Sequence, residues 1–251
     1  MKIVDAVWEK RNLGKRTIEL MLEKNDFLHN PDDIFANIES LEEKFQSEYT
    51  VVKVKTGNSH IGSRLTKGGF VFVETQINIQ AMQYDIEIAM ERYRPLFRET
   101  CCREVSSKED VTRIRSEIEK GIFKTDRIAL DPCFGKRIAN IRYSNWVENE
   151  MARDGHLYYV IVEGDEIGFC LSREKGNIRY GLLTGVFENY SKHNYGSNLI
   201  YACLDEAIKK KFLIYHGAVS SNNSKILSLH ESFGYRTKFM QEVYVRHKHS
   251  A

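Results

Sequence analysis

Two segments of this 251-residue chain repeat one another at an offset of 165 positions. Asn58-Ser59-His60-Ile61-Gly62-Ser63 and Gly69-Phe70 return as Asn223-Ser224-Lys225-Ile226-Leu227-Ser228 and Gly234-Tyr235 without a gap, and Gln76 falls on Gln241. Asn is a common helix-entry residue and Gly a common helix exit. Each copy therefore reads as strand, helix, strand. Generic caps would account for the Asn and the Gly separately, whereas the gapless spacing favours a duplicated unit. The period is far too long for a solenoid. A chain holding such a unit twice is expected to fold as two related parts.

The joint between the parts is placed at Tyr93-Arg94-Pro95, after a helix-like segment. This divides the chain into residues 1–95, a smaller α/β unit, and 96–251. The second part has a regular pattern. Thr100 to Val105 reads as a strand, and Ser107 with Asp110 opens a helix to about Lys120. Lys136 to Arg153 is a second helix, with Ile138, Ile141, Val147 and Met151 on an apolar stripe. Leu157 to Glu163, Ile167 to Arg173 and Ile178 to Val186 are strands joined by turns at Gly164-Asp165 and Gly176-Asn177. A loop from Phe187 to Asn194 leads to a helix from Tyr195 to about Lys211. Ile214 to Val219 then reads as a strand, Ser224 to Ser232 as a helix and Tyr235 to Arg246 as the last strand. Hairpins mixed with helical connections imply an α/β (α+β) fold, with helices on the faces of a mixed, mostly antiparallel sheet.

Apolar residues at 42% and charged residues at 29% are ordinary for a globular chain, and the net charge is only +2. No basic excess marks a nucleic-acid binder, and Lys209-Lys210-Lys211 reads as a solvated helix end. No apolar run approaches the roughly 20 residues of a membrane span, and Met1 to Lys10 lacks a signal-peptide core. A cytoplasmic protein is expected. Cys101, Cys102, Cys133, Cys170 and Cys203 show no ligand spacing, which implies reduced thiols and no metal. Cys101 and Cys102 read as buried strand residues rather than a redox pair.

The stretch from Leu182 to Leu199 holds the first candidate site. A strand ends, a polar loop turns and a helix begins, so unpaired N–H groups and the positive end of a helix dipole converge on one point. Such a point suits a pyrophosphate, and Gly196 allows close approach. An ordinary strand–loop–helix connection would look the same.

The following residues resemble the GNAT acetyltransferase superfamily. Its loop Arg/Gln-x-x-Gly-x-Gly/Ala is similar to Ser191-Lys192-His193-Asn194-Tyr195-Gly196, with Asn194 in a Gly position that tolerates a left-handed backbone and Ser191 replacing the leading Arg or Gln. Asn223 to Tyr235 resembles the element Asn-x-x-Ala-x-x-x-Tyr-x-x-x-Gly-Phe, with Ile226 for Ala, His230 for Tyr and Tyr235 for Phe. Asp126-Arg127 and Tyr143-Ser144-Asn145-Trp146-Val147-Glu148-Asn149 resemble the TDP-fucosamine acetyltransferases, which acetylate the 4-amino group of a nucleotide-linked 4-amino-4,6-dideoxygalactose. Those enzymes also carry a partial GNAT-like unit, similar to Val52 to Ile79.

The resemblance implies acetyl-CoA as co-substrate and direct transfer to a nucleotide-sugar amine in surface polysaccharide precursor synthesis. It implies cofactor contacts at Leu183, Gly185, Val186, Ser191, Lys192, His193, Asn194, Tyr195, Gly196, Ser197 and Asn223. Arg127, Tyr143 and Trp146 are implied at the substrate, although a helix burying Tyr143 and Trp146 on one face is an equal reading. His230 takes the place of the general acid that protonates the leaving thiolate, with Tyr244 as the alternative donor. The resemblance leaves room for a homodimer. The residues stay compatible with an acetyltransferase acting on a protein or peptide amine, and with a non-catalytic module that binds CoA or a nucleotide sugar. The N-terminal part is expected to lack its own cofactor, because Ile34 to Glu48 offers acidic helical sequence where a phosphate loop would have to lie.

Overall fold

The duplication is realised almost residue for residue in the computed structural model, which describes residues 1–97 and 99–248. The first half runs β1 (Lys2–Asp5), α1 (Glu9–Leu13), β2 (Thr17–Met21), α2 (Pro31–Lys44), β3 (Tyr49–Lys55), α3 (Ser59–Lys67) and β4 (Val71–Met82). After α4 (Gln83–Tyr93), the second half runs β5 (Thr100–Glu104), α5 (Lys108–Glu119), α6 (Arg127–Leu130), α7 (Gly135–Met151), β6 (Gly155–Val162), β7 (Asp165–Lys175) and β8 (Ile178–Val186). It ends with α8 (Gly196–Lys209), β9 (Ile214–Ser220), α9 (Ser224–Ser232) and β10 (Arg236–His247). The offset of 165 carries α2, β3, α3 and β4 onto α8, β9, α9 and β10 with identical ends.

All ten strands form one sheet in the order β1-β2-β3-β10-β4-β9-β8-β7-β6-β5. Each half inserts its last strand into the other: β10 lies between β3 and β4, and β4 lies between β10 and β9. Gln76 faces Gln241 in the antiparallel β4–β10 pair. Those two residues are themselves 165 apart, so a local two-fold axis passes between them. The flanking ladders obey it, since Gln241 opposes Lys55 just as Gln76 opposes Ser220. Both central strands carry a bulge at equivalent places, around Val73 and around Lys238. Among the described residues, only β2–β3 and β8–β9 are parallel.

Local chemistry explains the element ends. The Ser107 side chain accepts the Asp110 N–H at the start of α5. Glu163 and Gly164, at φ 52° and 89°, make the tight turn between β6 and β7, the left-handed pair such hairpins require. Gly69 and Gly234 take φ 86° and 89° after the equivalent helices α3 and α9.

Helices cover both faces. Leu20, Phe35, Ile38, Val52 and Leu65 form the core beneath α2 and α3. Ile86, Val160, Leu199, Tyr201, Tyr215 and Phe233 do so beneath α4 and α8. On the opposite face Ile114, Ile118, Val147, Phe169 and Leu171 pack beneath α5 and α7.

Two sequence expectations are corrected. Cys101 is exposed and Cys102 half-buried, because β5 is an edge strand with one open face. The inward face of α7 is more polar than the expected stripe: Val147 is buried, Ile138 and Ile141 are only partly so, and Asn140, Ser144, Asn145 and Glu150 are buried instead. These groups have partners. Asn140 brackets the N–H and carbonyl of Phe123, Ser144 donates to Glu119, and Asn145 donates to Asn12. Among the described residues no helix is long and apolar enough to cross a membrane.

Candidate functional site

The second half opens its sheet where the first keeps it closed. β8 pairs with β9 only from Ile178 to Tyr180, opposite Ile214 to His216. Beyond that the strands diverge. Leu182 is an extra residue on β8, because Leu183 opposes Leu171 while Gly181 opposes Ser172. A bulge adds local twist and bends the strand away from its neighbour. The edge of β8 from Gly181 to Val186 therefore faces an open wedge, with Tyr180 and His216 stacked at its apex at 5.3 Å. In the first half β2 and β3 stay paired over the whole of Thr17–Met21, and the Leu22 N–H still reaches the Lys53 carbonyl at 3.0 Å.

The helix that follows the wedge enters uncapped. Tyr195 provides no side-chain cap for α8, and its first turn has no acidic residue. The first helical bond within α8 is Leu199 N–H to the Tyr195 carbonyl at 2.9 Å, so the N–H groups of Gly196, Ser197 and Asn198 precede the regular ladder. Asn194 sits at φ 59°, and the Ser191–Asn194 loop is exposed with Lys192 and His193 on it. A Cβ on Gly196 would meet only Leu229, at 3.5 Å.

The equivalent helix α2 differs at each of these points. Asn30 caps it by accepting the Asp32 N–H, Pro31 replaces Gly196, and Asp32 and Asp33 occupy the first turn. The loop equivalent to Ser191–Gly196 is thus Asp26–Pro31, ahead of the Ile34–Glu48 segment to which the sequence pattern assigned it. A capped, acidic N-terminus repels phosphate, whereas an uncapped neutral one attracts it.

The β8 residues divide by role. Leu183 turns its side chain into the core, and a Cβ on Gly185 would come within 2.8 Å of Phe169. Both can face the wedge only through their backbone. Val186 is half-buried at the wedge mouth. Asn223 precedes α9, and its side chain makes no cap bond.

His230, also on α9, is half-buried. Its Nδ1 lies 2.8 Å from the Ile226 carbonyl and its ring meets Tyr235 edge-on at 5.0 Å. Burial lowers its pKa from the usual imidazole range, against the raising effect of the Ile226 carbonyl. Tyr244 packs in the core beneath α2 and α3, with its hydroxyl donating to Glu242 at 2.7 Å.

Arg127, Tyr143 and Trp146 come together around a cavity of about 460 Å³ between the halves, which Leu182 also lines. The floor is an unusual row of charges on the sheet. Arg127 and Glu19 form a buried ion pair, with Lys53 3.6 Å from the same carboxylate. Burial pushes the Glu19 carboxyl up, but Arg127 and Lys53 outweigh it and hold it well below the carboxylate range. Tyr143 stacks on Trp146 at 6.0 Å, and burial, then the Asp126 charge, raises the Tyr143 phenol. Trp146 donates to Glu150 at 3.0 Å, and Glu150 also receives Arg173 at 2.6 Å. Trp8, Glu74, Asp126, Arg142 and Arg153 complete the wall.

Of these, Trp8 and Glu74 went unnoticed in the sequence. The available signal was a charged residue in the middle of an otherwise strand-like run, Val71-Phe72-Val73-Glu74. Asp131, Cys133 and His247 also approach one another, with ligand-type atoms within 4.8 Å. Asp131 is already engaged there, with His247 at 2.8 Å and with the Cys133 N–H at 2.9 Å.

No protein-family model and no curated protein matches the chain. Its fold does match solved structures. A GCN5-related N-acetyltransferase from Sphaerobacter thermophilus aligns with a TM-score of 0.63 at 10% identity, over 98% of this chain and 75% of that one. One from Kribbella flavida gives 0.56 at 10% identity, over 92% and 80%. A tandem GNAT protein from the clavulanic acid biosynthesis pathway gives 0.53 at 11% identity, over 88% and 70%. The fold is that of the GNAT acetyltransferases.

Proposed function

We propose that the chain is an acetyl-CoA-dependent N-acetyltransferase that acts on the amino group of a nucleotide-linked 4-amino-4,6-dideoxyhexose, in surface polysaccharide precursor synthesis. The observation that carries this reading is the single open wedge between β8 and β9, bounded by an uncapped helix N-terminus and leading through Leu182 into a cavity. The residues fit a pyrophosphate thioester. The N–H groups of α8 and the left-handed Asn194 form an anion cradle, and the unpaired β8 edge offers strand-like bonds to an amide-containing arm. The first half lacks both features, which supports one cofactor per chain.

Acetyl-CoA supplies an activated acyl group. The protein orients it against the amine, which converts a bimolecular step into an effectively unimolecular one. Backbone N–H groups from Thr184 to Val186 would stabilise the carbonyl oxygen as charge develops on it. His230 is the proposed donor to the thiolate. Its Nδ1–H is committed to the Ile226 carbonyl in the neutral ring, so donation from Nε2 requires the imidazolium.

The acceptor assignment is supported by the chemistry of the cavity wall. Trp8, Tyr143 and Trp146 offer ring faces, and Arg153, which has no ion pair among the described residues, offers a cation for a phosphate-bearing ligand. An open-mouthed cavity of about 460 Å³ suits a small molecule. Thiol release from acetyl-CoA, measured with dTDP-4-amino-4,6-dideoxygalactose, with lysine peptides and with no acceptor, tests the reading. Release with the sugar alone is expected. Release only with peptides would move the acceptor to a protein amine, and CoA binding without release would indicate a non-catalytic module.

A further inference from the structure

Glu74 is a carboxylate that the fold does not require. It is 8% exposed on β4, it lines the cavity, and its Oε2 is buried without a hydrogen-bond partner among the described residues. Asp126 lines the same cavity with a second buried oxygen in that condition, Oδ2, while its Oδ1 caps α6 at 2.7 Å from the Ile128 N–H. An unpartnered buried carboxylate is costly unless a ligand meets it. The two-fold axis provides an internal control. The residue equivalent to Glu74, directly after the matching bulge on β10, is Phe239. An apolar side chain therefore satisfies the backbone at this position, and the bulge beside Glu74 is not what demands an acid.

Of the other charges around the cavity, all but Arg153 have an ion-pair partner among the described residues. Arg127 and Lys53 serve Glu19, Arg142 serves Glu9 at 2.7 Å, and Arg173 serves Glu150. Glu74 and Asp126 have no ion-pair partner among the described residues. Glu74 also stands at the open end of the wedge. Ser220, the last residue of β9, lies beside its carboxylate, and Ser221 bonds to the Thr75 carbonyl at 2.8 Å. Leu182, on the opposite arm, reaches the same cavity.

We propose that Glu74, supplied by the N-terminal half, together with Asp126, binds the acceptor as its ammonium ion and that Glu74 removes the proton that blocks attack. The inference rests on the transferase reading of this cavity. An aliphatic ammonium has no lone pair. It gives one proton to Glu74, and the freed lone pair forms the C–N bond to the acetyl carbonyl. The C–S bond breaks, the His230 imidazolium protonates the thiolate and is restored by the second proton shed by nitrogen, and Glu74 returns its own proton to solvent. Amide, thiol and one proton result.

Burial raises the Glu74 carboxyl from its usual range, which strengthens it as a base; Asp126 adds to the rise, while Ser220, Arg127 and Lys53 oppose it. These groups and Tyr143 are the polar side chains that face it from β9, α6, β3 and α7.

The test is carboxyl ¹³C NMR of glutamate-labelled protein loaded with CoA, titrated with cyclohexylammonium and, separately, with cyclohexanol. The Glu74 signal is assigned by its loss in Glu74→Gln or, should that variant not fold, in Glu74→Asp. The ammonium is expected to shift this signal and the alcohol to leave it in place. An unmoved signal, or equal shifts with both probes, would overturn the proposal. With dTDP-4-amino-4,6-dideoxygalactose, Glu74→Gln should lower kcat by about 10²–10⁴-fold, abolish the acidic limb of kcat/KM and leave acetyl-CoA affinity unchanged. Wild-type turnover retained in that variant would also overturn it. If no amine is acetylated while the NMR response holds, the transferase reading fails and the ammonium subsite stands.

Discussion

Gly196→Glu separates cofactor binding from folding. In the folded protein the new side chain would occupy the first turn of α8, where Leu229 lies 3.5 Å from the added Cβ, an ordinary contact. The backbone there is helical and the first turn contains no other acid. Replacing glycine in a helix gains up to about 1 kcal/mol, and an acid in the first turn gains about 0.3–1 kcal/mol from the dipole. For a chain of this size the variant should melt at the wild-type temperature or a few degrees above it, at roughly 2–4 °C per kcal/mol. A pyrophosphate at the same N–H groups would lie about 6 Å from the new carboxylate. At an effective dielectric of about 20 each such charge pair is worth roughly 3 kcal/mol of repulsion, which weakens CoA binding on the order of 100-fold. Calorimetry with CoA, alongside a thermal melt, reads both effects. Gly196→Ala, which adds bulk without charge, should lose much less. A folded Gly196→Glu protein that binds CoA with wild-type affinity would refute the placement of the phosphates.

Other substitutions probe the remaining parts. Arg127→Met strands the buried Glu19 carboxylate with Lys53 alone and should cost about 3–5 kcal/mol by urea unfolding. Because the Glu19 pKa is depressed in the folded state, its stabilisation is present above the unfolded value of about 4.3 and is lost as the pH falls below it; Arg127→Met should flatten that acid-side loss. Asn194→Val forces a β-branched residue to φ 59°, at about 1–2 kcal/mol of local strain, and should weaken CoA binding, while Asn194→Gly should not. His230→Ala should lower kcat with little change in the KM for acetyl-CoA; since burial lowers the imidazole pKa, the wild-type imidazolium fraction falls as pH rises through a value below about 6.5, and that limb should vanish in the variant. A wild-type kcat for His230→Ala from pH 6 to pH 9, an assay window of about three units that brackets the reference imidazole value, would leave His230 with a packing role alone.

What could be read in the sequence was local. Ile178–Val186 and Ser224–Ser232 have their expected ends, because turn glycines, helix caps and two-residue alternation act within a few positions. The wedge-forming segment was legible as a strand followed by a helix entry, and the left-handed Asn194 followed from the tolerance of its side chain. The exchange of β4 and β10 was not legible. The repeat shows that Gln76 and Gln241 are equivalent, but equivalence does not say that they are neighbours. Only the closure of two half-sheets across a common axis makes them so. The floor of the cavity was hidden for a related reason. Glu19, Lys53 and Glu74 look like surface charges on three separate strands until pairing sets them in one row beneath α6 and α7. The Tyr143–Trp146 string pointed to the right helix, yet many of its polar neighbours, Ser144, Asn145 and Glu148 among them, are engaged by Glu119, Asn12, Arg11 and Arg115 in holding that helix in place.

Amide hydrogen exchange with and without saturating CoA tests the asymmetry between the halves most directly. Slowed exchange confined to the wedge and its helix entry, Gly181 to Asn198, with Glu23 to Asp33 unchanged, is the expected result. Protection in both segments, in the first half alone, or in neither would contradict a single cofactor site between β8 and β9.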